Sequence, residues 1–303
     1  MHWRETERPI VWADRFGRAA PLEVEIGYGN GEYLIRRATE HPDRNFVGIE
    51  LYWESIKRAM RRIKREGVDN VRLLLGDASE ILPRVFEPGT LDHAYSLFPC
   101  PWPKGRHEHH RLFTTACLQV INSRLKPNAV LKIVTDHAAF RDWVLSQTNG
   151  AGFDVTCTEK PAGFETKYER KWIESGQQIF YEINMTRAIA IDRPLTGDYP
   201  MKTYRLDDFN AAAFAPEGCT GSVVVEFKEW IFDPDREKAM IRAFVGEPDM
   251  KQNVWIEIAK KDGVWILRPA IGGGAIPTRG LQVALDRVRD AALRKRPREV
   301  QAE

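Results

Sequence analysis

The sequence predicts an α/β protein whose mostly parallel seven-stranded sheet is followed by a small α+β domain. From Pro21 to about Arg187, short apolar runs alternate with segments of helical periodicity, which is typical of a parallel α/β sheet. After Pro194, strand-like runs follow one another and the chain ends in one amphipathic helix. A length of 303 residues also exceeds that of one ordinary domain. We therefore expect two domains, at residues 1–193 and 194–303.

The first domain contains seven apolar runs that we predict as strands. In chain order they are Leu22–Ile26, Asn45–Ile49, Val71–Leu75, Leu91–Leu97, Val130–Thr135, Phe153–Thr158 and Gln178–Met185. Segments with helical spacing and Gly or Pro punctuation lie between them, at Glu32–Glu40, Trp53–Glu66, Glu108–Leu125 and Ala138–Thr148. Helix-forming sequence is lacking between the last two strands. Without a crossover helix there, the sheet is expected to have an antiparallel end.

The second domain begins with a Pro-rich and polar connection, residues 194–216, in which we predict one short helix. The strand-like runs that follow are Ser222–Phe232, Met240–Val245, Asn253–Ala259 and Gly263–Arg268. Lys261-Asp262-Gly263 is predicted to form a hairpin turn. The final helix is predicted from Thr278 to about Arg296. Its apolar face is formed by Leu281, Leu285, Val288 and Ala292.

Composition sets the outer limits on function. An apolar content of 43% and a charged content of 29% are ordinary for a globular protein with a full core. The net charge of +2 does not indicate which class of partner the protein binds, because a near-neutral average can conceal basic surfaces. The four cysteines are too widely spaced for a disulfide framework: Cys100, Cys117, Cys157 and Cys219. Without a bilayer-length apolar run or a signal-peptide pattern, we expect a reduced, cytoplasmic protein with no membrane partner.

A glycine-rich loop follows the first predicted strand and leads into a helix. It reads Glu25-Ile26-Gly27-Tyr28-Gly29-Asn30-Gly31. Glycines let a backbone turn tightly and approach a ligand where any Cβ would collide. The spacing is GxGxG with an acidic residue two positions earlier, whereas dinucleotide binders carry GxGxxG. A nearby carboxylate disfavours a pyrophosphate but favours a sulfonium cofactor that also carries an ammonium group.

Two more carboxylates follow the next two predicted strands. Glu50 can accept hydrogen bonds from ribose hydroxyls, and Asp77 can accept one from the exocyclic amine of adenine. Either residue alone would be read as a solvated loop acid. With Glu25 and the glycine loop, they predict a pocket for S-adenosylmethionine (SAM), formed by Glu25, Gly27, Gly29, Gly31, Glu50 and Asp77. The alternative, a nicotinamide-dependent dehydrogenase, requires the GxGxxG spacing that is absent here.

The most specific motif is Phe98-Pro99-Cys100-Pro101-Trp102-Pro103-Lys104-Gly105-Arg106-His107. It resembles the active-site loop of the tRNA (guanine-N7)-methyltransferase family, Phe-Pro-Asp-Pro-Trp-x-Lys-x-Arg-His. The resemblance covers roughly Pro21–Arg187 and implies a class I methyltransferase fold with a Rossmann-like sheet. It also implies SAM as cofactor and tRNA as partner, with methyl transfer to N7 of a guanosine in the variable loop. Cys100 stands at the position of the family's catalytic aspartate.

The same resemblance assigns further residues to tRNA binding: Lys104, Asp136, Thr166, Lys167, Tyr168 and Glu169. All of them fall in loops that are expected to lie at the edge of the sheet that carries the cofactor motifs. The placement expected from the residues alone therefore agrees with the assignment.

Methylation at guanine N7 needs little acid–base chemistry, because N7 carries a lone pair and no proton. Positioning then supplies most of the rate, and a carboxylate can orient the base by accepting hydrogen bonds from its N–H edge. A neutral Cys100 thiol is a poor acceptor, so its presence is expected to cost about 1.5–3 kcal/mol, or roughly ten- to 150-fold in rate. Asp136 or Glu169 can take over the contact.

Three interpretations of Cys100 stay open: a tolerated substitution in an active enzyme, a change of acceptor, or a lost activity. The first is preferred. The corresponding alternatives for function are a tRNA-binding protein without turnover and a methyltransferase with a non-tRNA substrate.

His107, His109 and His110 lie close to Cys100 in sequence. Metal-binding histidines on a helix favour the spacing i, i+4, whereas these offer i, i+2 and i+3. We therefore predict no metal and read the cluster as a polar helix start near phosphates. Trp102 can stack on a base, but a tryptophan between two prolines is at least as often a structural anchor of the loop.

Two basic clusters suit a phosphate backbone but are also compatible with solvated surfaces. The first shares one helix face: Arg58, Arg61, Arg62 and Arg65. The second crowds the C-terminal region: Arg287, Arg289, Arg294, Lys295, Arg296 and Arg298. For the second domain, tRNA binding and packing or dimerisation are equally open, and the sequence does not predict the oligomeric state.

Overall fold

The computed structural model describes residues 1–160, 163, 166–174, 176 and 179–294. Contacts divide the chain into two compact units, Met1–Thr196 and a second unit that begins at Gly197. The assignment of separate roles to domains 1–193 and 194–303 stays a prediction.

The first unit has a seven-stranded sheet with helices between its strands. The strands are β1 (Leu22–Ile26), β2 (Asn45–Glu50), β3 (Val71–Leu75), β4 (Leu91–Leu97), β5 (Leu125–Thr135), β6 (Phe153–Lys160) and β7 (Phe180–Arg187). The α-helices are α1 (Trp12–Phe16), α2 (Glu32–Glu40), α3 (Trp53–Glu66), α4 (Ala78–Val85), α5 (Thr115–Arg124), α6 (Ala138–Gln147) and α7 (Lys167–Glu174). Two 3-10 helices, Trp3–Glu5 and Gly105–His110, complete the unit's described helices.

The strand order is β3-β2-β1-β4-β5-β7-β6. Strands β1 to β5 pair in parallel, and β7 runs antiparallel to both β5 and β6. The predicted mostly parallel sheet with an antiparallel end is therefore confirmed. The chain adds β2 and β3 on one side of β1 and then β4 and β5 on the other side, so the strand order reverses between β1 and β4. Ligands of such sheets bind at this point, beyond the carboxyl ends of the strands.

The predicted strands are all present, several of them longer than expected at one end. The last predicted strand starts at Gln178, which lies outside the described residues. Helices α2 and α3 have the predicted bounds. Helix α3 ends at Gly67, whose φ of 67° is the left-handed conformation that commonly terminates helices.

The helix predicted over Glu108–Leu125 is wrong in its first half. The chain forms the 3-10 helix Gly105–His110, extends, and starts α5 only at Thr115. The hydroxyl of Thr114 accepts a hydrogen bond from the Cys117 amide at 3.3 Å, which makes Thr114 the cap of α5. Leu125 belongs to β5.

Three α-helices of the first unit were not predicted: α1, which precedes the first predicted strand, α4 and α7. Helix α4 is capped by Asp77, whose carboxylate accepts from the Ser79 amide at 2.8 Å. Helix α7 contradicts the expectation that the last two strands of the sheet are joined without helix-forming sequence. Its start matches the T-x-x-E capping box, because the Thr166 hydroxyl accepts from the Glu169 amide at 3.1 Å. Helix α7 joins antiparallel strands and is therefore not a parallel crossover.

The second unit is a small α+β fold, as predicted. Its antiparallel strands have the order β8-β12-β11-β10-β9. Their bounds are β8 (Tyr204–Leu206), β9 (Val224–Asp233), β10 (Lys238–Glu247), β11 (Met250–Lys261) and β12 (Val264–Pro269), and one helix, α8 (Arg279–Ala292), follows. The predicted hairpin turn is confirmed, because Asp262 and Gly263 between β11 and β12 have φ values of 52° and 80°.

The connection to this sheet differs from the prediction in one respect. It contains strand β8 besides a 3-10 helix, Ala211–Ala213. The apolar face predicted for the last helix is buried on α8, at Leu281, Leu285, Val288 and Ala292. The predicted end of that helix, Arg296, lies outside the described residues, as do Lys295 and Arg298.

None of the helices in the described part of the chain is long and apolar enough to cross a membrane.

Candidate active site

The glycine loop between β1 and α2 adopts a conformation that other residues rarely reach. Gly27, Gly29 and Gly31 have φ values of 74°, 57° and 77°. Gly27 donates its amide hydrogen to the Ile49 carbonyl at 2.8 Å, which ties the loop to the end of β2. A Cβ on Gly31 would lie 3.0 Å from the Cβ of Ala59. The loop is therefore tight and passes close to α3, as its spacing predicts.

A cleft with an open volume of about 310 Å³ lies at the carboxyl ends of β1 and β4. This is the crevice in which ligands of parallel sheets bind. Residues from the loops after β1, β4 and β6 meet there. The lining residues are Glu25, Gly27, Tyr28, Gly29, Asn30, Glu32, Tyr33, Leu97, Phe98 and Thr166.

Glu25 is the main charged group of the cleft, and only 3% of it is exposed. Its Oε2 atom has no hydrogen-bond partner among the described residues. Burial, followed by the charge of Glu50, raises the pKa of Glu25 to about 8, while Arg36 acts in the opposite direction. A buried carboxylate without a partner is costly, and a cationic ligand offsets that cost. The ammonium and sulfonium groups of SAM have this chemistry, so the residues of the cleft fit SAM.

Glu50 connects the glycine loop to the start of α3. Its Oε2 accepts from the Gly29 amide at 2.9 Å, and its Oε1 accepts from the amides of Leu51 at 2.9 Å and Tyr52 at 3.1 Å. A carboxylate offers about four acceptor sites. Glu50 therefore organises two loops and retains capacity for one ribose hydroxyl. This cofactor contact stays a prediction.

Asp77 has a structural task in the described chain. It is exposed, and its Oδ1 accepts from the amide and the hydroxyl of Ser79 at 2.8 and 2.7 Å. These bonds cap α4. The predicted contact of Asp77 with adenine is not addressed by this geometry and stays a prediction.

Tyr28 is a cleft residue that the sequence analysis missed. It is 4% exposed, and its hydroxyl has no hydrogen-bond partner in the described part of the protein. Burial raises the pKa of Tyr28, and the charges of Glu50 and Glu25 act in the same direction. A Cβ on Gly48 would lie 2.5 Å from the Tyr28 ring, so Gly48 makes room for it. The available signal was an aromatic residue between two glycines of the loop.

The loop that carries Cys100 is fixed at both of its sides. The Phe98 amide donates to the Val134 carbonyl at 2.8 Å, and Phe98 and Trp102 have φ values of 54° and 43°. Arg111, 6% exposed, donates to the carbonyls of Pro101 at 2.9 Å and Trp102 at 3.2 Å. Cys100 itself is exposed. Phe98, two residues before Cys100, lines the cleft.

Arg111 is a second residue that the sequence analysis missed. Its guanidinium also pairs with Glu108 at 3.0 Å and lies 5.0 Å from the ring centroid of Trp143. The sequence gives little indication of this role, because an arginine directly after a polar cluster is usually a solvent-exposed surface residue. Its partners become visible only when the loop folds back.

The histidines pack around Trp102. Its ring centroid lies 4.7 Å from that of His110 and 6.0 Å from that of His107. Trp102 is therefore part of the loop's own packing, and its stacking on a base stays a prediction. Within residues 1–160, 163, 166–174, 176 and 179–294, no group of three or more His, Cys, Asp or Glu is arranged to hold a metal.

The predicted substrate residues have different environments. Lys104 is exposed, and Asp136 is half-buried just after β5. Thr166 is 8% exposed and lines the cleft. Glu169, 2% exposed, accepts from the Gly163 amide at 2.6 Å. The side chains of Lys167 and Tyr168 lie outside the described part, and the roles of all these residues stay predictions.

An ion-pair network links α7 to the cofactor side of the cleft. Arg170 on α7 donates to both carboxylate oxygens of Glu32, at 2.9 and 3.0 Å, and Arg62 on α3 donates to the same group at 3.1 Å. Glu32 is the first residue of α2 and lines the cleft. The cleft therefore gathers Glu25, the glycine loop, Phe98 and Thr166, while Glu50 supports it from behind.

Comparison with known proteins gives consistent relatives. A family described as putative methyltransferase matches residues 19–182. The tRNA (guanine-N(7)-)-methyltransferase of Chlorobium phaeobacteroides is 38% identical over 201 residues, which cover 63% of this chain and 98% of the relative. The enzyme of the same name from Thermotoga maritima is 30% identical over 291 residues, 92% of each chain. Among solved structures, the 16S rRNA methyltransferase KamB has a TM-score of 0.48 and 16% identity, covering 61% of this chain and 96% of that chain.

Proposed function

The chain belongs to the tRNA (guanine-N7)-methyltransferase family, and we propose that it transfers the methyl group of SAM to N7 of a guanosine in the tRNA variable loop. The observation that supports this most directly is the buried Glu25 carboxylate with one unpartnered oxygen, which lines a cleft between the glycine loop and Phe98. A cationic ligand would neutralise this carboxylate, and it would lie beside Phe98, the first residue of the motif that contains Cys100.

SAM, when bound, supplies a methyl group on a positively charged sulfur. Glu25 would balance positive charge of the cofactor, and the left-handed glycine loop would let the backbone approach it. Glu50 would accept from a ribose hydroxyl with its remaining capacity, and Asp77 would accept from adenine. Tyr28, whose hydroxyl is buried and unpartnered within the described chain, would hydrogen-bond to the cofactor from the floor of the cleft.

The acceptor needs positioning more than proton transfer, because guanine N7 carries no proton. Arg111 holds the carbonyls of Pro101 and Trp102 and so fixes the loop around Cys100. Exposed Lys104 would contact a phosphate, and Asp136 and Glu169 would orient the base. The apolar side chains of Leu97 and Phe98 would exclude water from the point of transfer.

The test is a methyl-transfer assay with labelled SAM, unmodified tRNA and identification of the product nucleoside. The native protein should form N7-methylguanosine, and the Cys100→Asp variant should form it roughly ten to 150 times faster. Cys100→Ser serves as the matched control, because it keeps a small neutral side chain and should resemble the native protein. Absence of product from both native protein and Cys100→Asp contradicts the proposal.

A second candidate is a tRNA-binding protein that retains the SAM cleft but does not turn over. Cys100 at the position of the family's aspartate favours it, since the thiol carries no charge and accepts hydrogen bonds poorly. Formation of N7-methylguanosine by Cys100→Asp, with no product from the native protein, would identify this case. A third reading, transfer to another substrate, requires SAM binding without tRNA binding.

We further propose a cytoplasmic location and no membrane partner, since tRNA is the substrate. For the second unit, tRNA binding and packing or dimerisation are both retained as roles. Its helix α8 carries Arg287 and Arg289, and exposed Arg294 follows two residues after its end. Arg287 donates to the carbonyls of Glu217 and Gly218, and Arg294 pairs with Glu217 at 3.0 Å, so part of this basic cluster serves the unit's own structure.

A further inference from the structure

Helix α3 and the two residues before it carry an exposed strip that the cofactor site does not use. Tyr52 is 64% exposed and Trp53 is 50% exposed. Lys57, Arg61 and Lys64 follow at spacings that place them on the same side of the helix as Trp53. The buried residues of the helix, Ile56 and Ala59, lie outside this strip, and Trp53, Arg61 and Lys64 are exposed, so the strip faces outward. We call Tyr52, Trp53, Lys57, Arg61 and Lys64 the α3 strip.

The helix is strongly basic, with six basic and two acidic residues in its 14 positions. Among the described residues, its ion pairs include Lys57–Glu54 at 2.6 Å, Arg62–Glu32 at 3.1 Å and Arg65–Glu66 at 2.7 Å. The first pair is exposed, and exposed pairs contribute little stability, so a phosphate can replace Glu54 as the partner of Lys57. Arg61 and Lys64 are exposed as well. The strip therefore offers three cations to an anionic partner.

The position of the strip is fixed relative to the cofactor cleft. Glu50 accepts from the Tyr52 amide at 3.1 Å with one oxygen and from the Gly29 amide at 2.9 Å with the other. Gly29 lines the cleft. One carboxylate thus joins the aromatic end of the strip to the loop that approaches the cofactor.

We propose that the α3 strip is a docking surface for the tRNA substrate. The rings of Tyr52 and Trp53 stack on an unpaired base, and Lys57, Arg61 and Lys64 contact phosphates along roughly 10 Å of helix. This inference rests on the proposed function, since it names a further contact surface for the same substrate.

The composition of the strip favours RNA over a protein partner. Lysine is depleted in protein interfaces, whereas two of the five residues in the strip are lysines. Exposed aromatic rings beside a basic groove or face are the usual surface for single-stranded nucleic acid, because every base has a face on which a ring can stack.

The experiment measures tRNA affinity at several salt concentrations for the native protein and for Arg61→Glu, Lys64→Glu and Trp53→Ala. Each charge reversal should weaken tRNA binding at least tenfold at low salt and lower the slope of log affinity against log salt by about 0.7–0.9. Trp53→Ala should weaken binding about fivefold or more without changing the slope. Arg15→Glu is the matched control. Arg15 is exposed on α1, and its backbone carbonyl bonds to Arg72 near the amino end of β3.

SAM affinity and thermal unfolding are measured on the same variants, and neither should change. In methyl transfer, the variants should raise the KM for tRNA and leave kcat within about twofold of the native value. Unchanged tRNA affinity in all three strip variants, with a native protein that methylates tRNA, overturns the docking surface while the proposed function stands. A native protein that binds SAM but no tRNA overturns both.

Discussion

The two ends of strand β1 carry the same type of residue in opposite circumstances. Glu23 and Glu25 lie two residues apart on one face of the strand, and their exposed fractions are 0% and 3%. Glu23 accepts from Arg44 at 2.7 Å, from Arg37 at 3.3 Å and from the Tyr95 hydroxyl at 2.7 Å. Glu25 retains a buried oxygen without a partner among the described residues.

The difference separates a structural charge from a functional one. Burial alone does not distinguish Glu23 from Glu25, and neither does residue type. The two residues differ in the partners of their carboxylates. Arginine and tyrosine side chains of the protein bind Glu23, whereas Glu25 has an oxygen that is available to a ligand. An uncompensated buried carboxylate lowers stability, and its position at the glycine loop gives a reason for its presence.

The strongest test of this comparison is Glu23→Gln. The substitution leaves Arg37 and Arg44 without their carboxylate, and breaking such a buried pair typically costs about 3–5 kcal/mol of unfolding free energy. Urea unfolding of the purified protein measures the loss. A change below about 1 kcal/mol would show that Glu23 is no more structural than Glu25.

The matching substitution at the other end, Glu25→Gln, should act on the ligand instead. Loss of charge-assisted contacts to a cation should weaken SAM binding by about ten- to 150-fold, which corresponds to 1.5–3 kcal/mol. The free energy of unfolding without ligand should stay the same or rise, because glutamine does not incur the cost of holding Glu25 protonated in the folded state above pH 4.5. Calorimetric titration with SAM and urea unfolding give the two values, and Glu23→Gln is the control. Native SAM affinity in Glu25→Gln would refute the assignment.

The pH dependence of stability sharpens the comparison further. The pKa of Glu25 is raised to about 8 in the folded protein from a usual value of 4.5. Between these values the folded state holds a proton that the unfolded state has lost. The contribution of Glu25 to stability is therefore complete below pH 4.5, falls by up to about 1.4 kcal/mol per pH unit, and is lost above pH 8.

The measurement is the difference in unfolding free energy between the native protein and Glu25→Gln from pH 5 to 8. The native protein should lose stability relative to the variant as the pH rises, because glutamine does not titrate. A difference that stays constant over this interval would mean that Glu25 is already ionised in the folded state.

The cofactor loop shows how far local patterns reach. Three glycines at alternate positions after an apolar run predict a tight turn, and all three adopt left-handed φ values. The motif Thr166–Glu169 shows the opposite case. The resemblance assigns it to substrate binding, yet its Thr166 hydroxyl also caps α7, and Glu169 accepts from the Gly163 amide. A single short motif can thus have a local structural cause beside a functional one.

The errors in helix prediction have physical causes as well. Helix α4 contains Pro83 in its last turns, a residue that argues against a helix from sequence although it is tolerated close to the end. The helix predicted from Glu108 starts later because Thr114 caps α5 and Arg111 is engaged with the preceding loop. Neither contact leaves a periodic pattern in the sequence.

The sequence by itself determined the order and bounds of most strands, the glycine loop and the succession of family motifs, because these depend on periodicity and on residues adjacent in the chain. Only the tertiary structure decided which buried carboxylate is neutralised. The partners of Glu23 lie 14, 21 and 72 residues away, on different elements, and reach it only when the sheet is assembled. Compensation of charge is a property of three-dimensional neighbours, and it distinguishes Glu25 from Glu23.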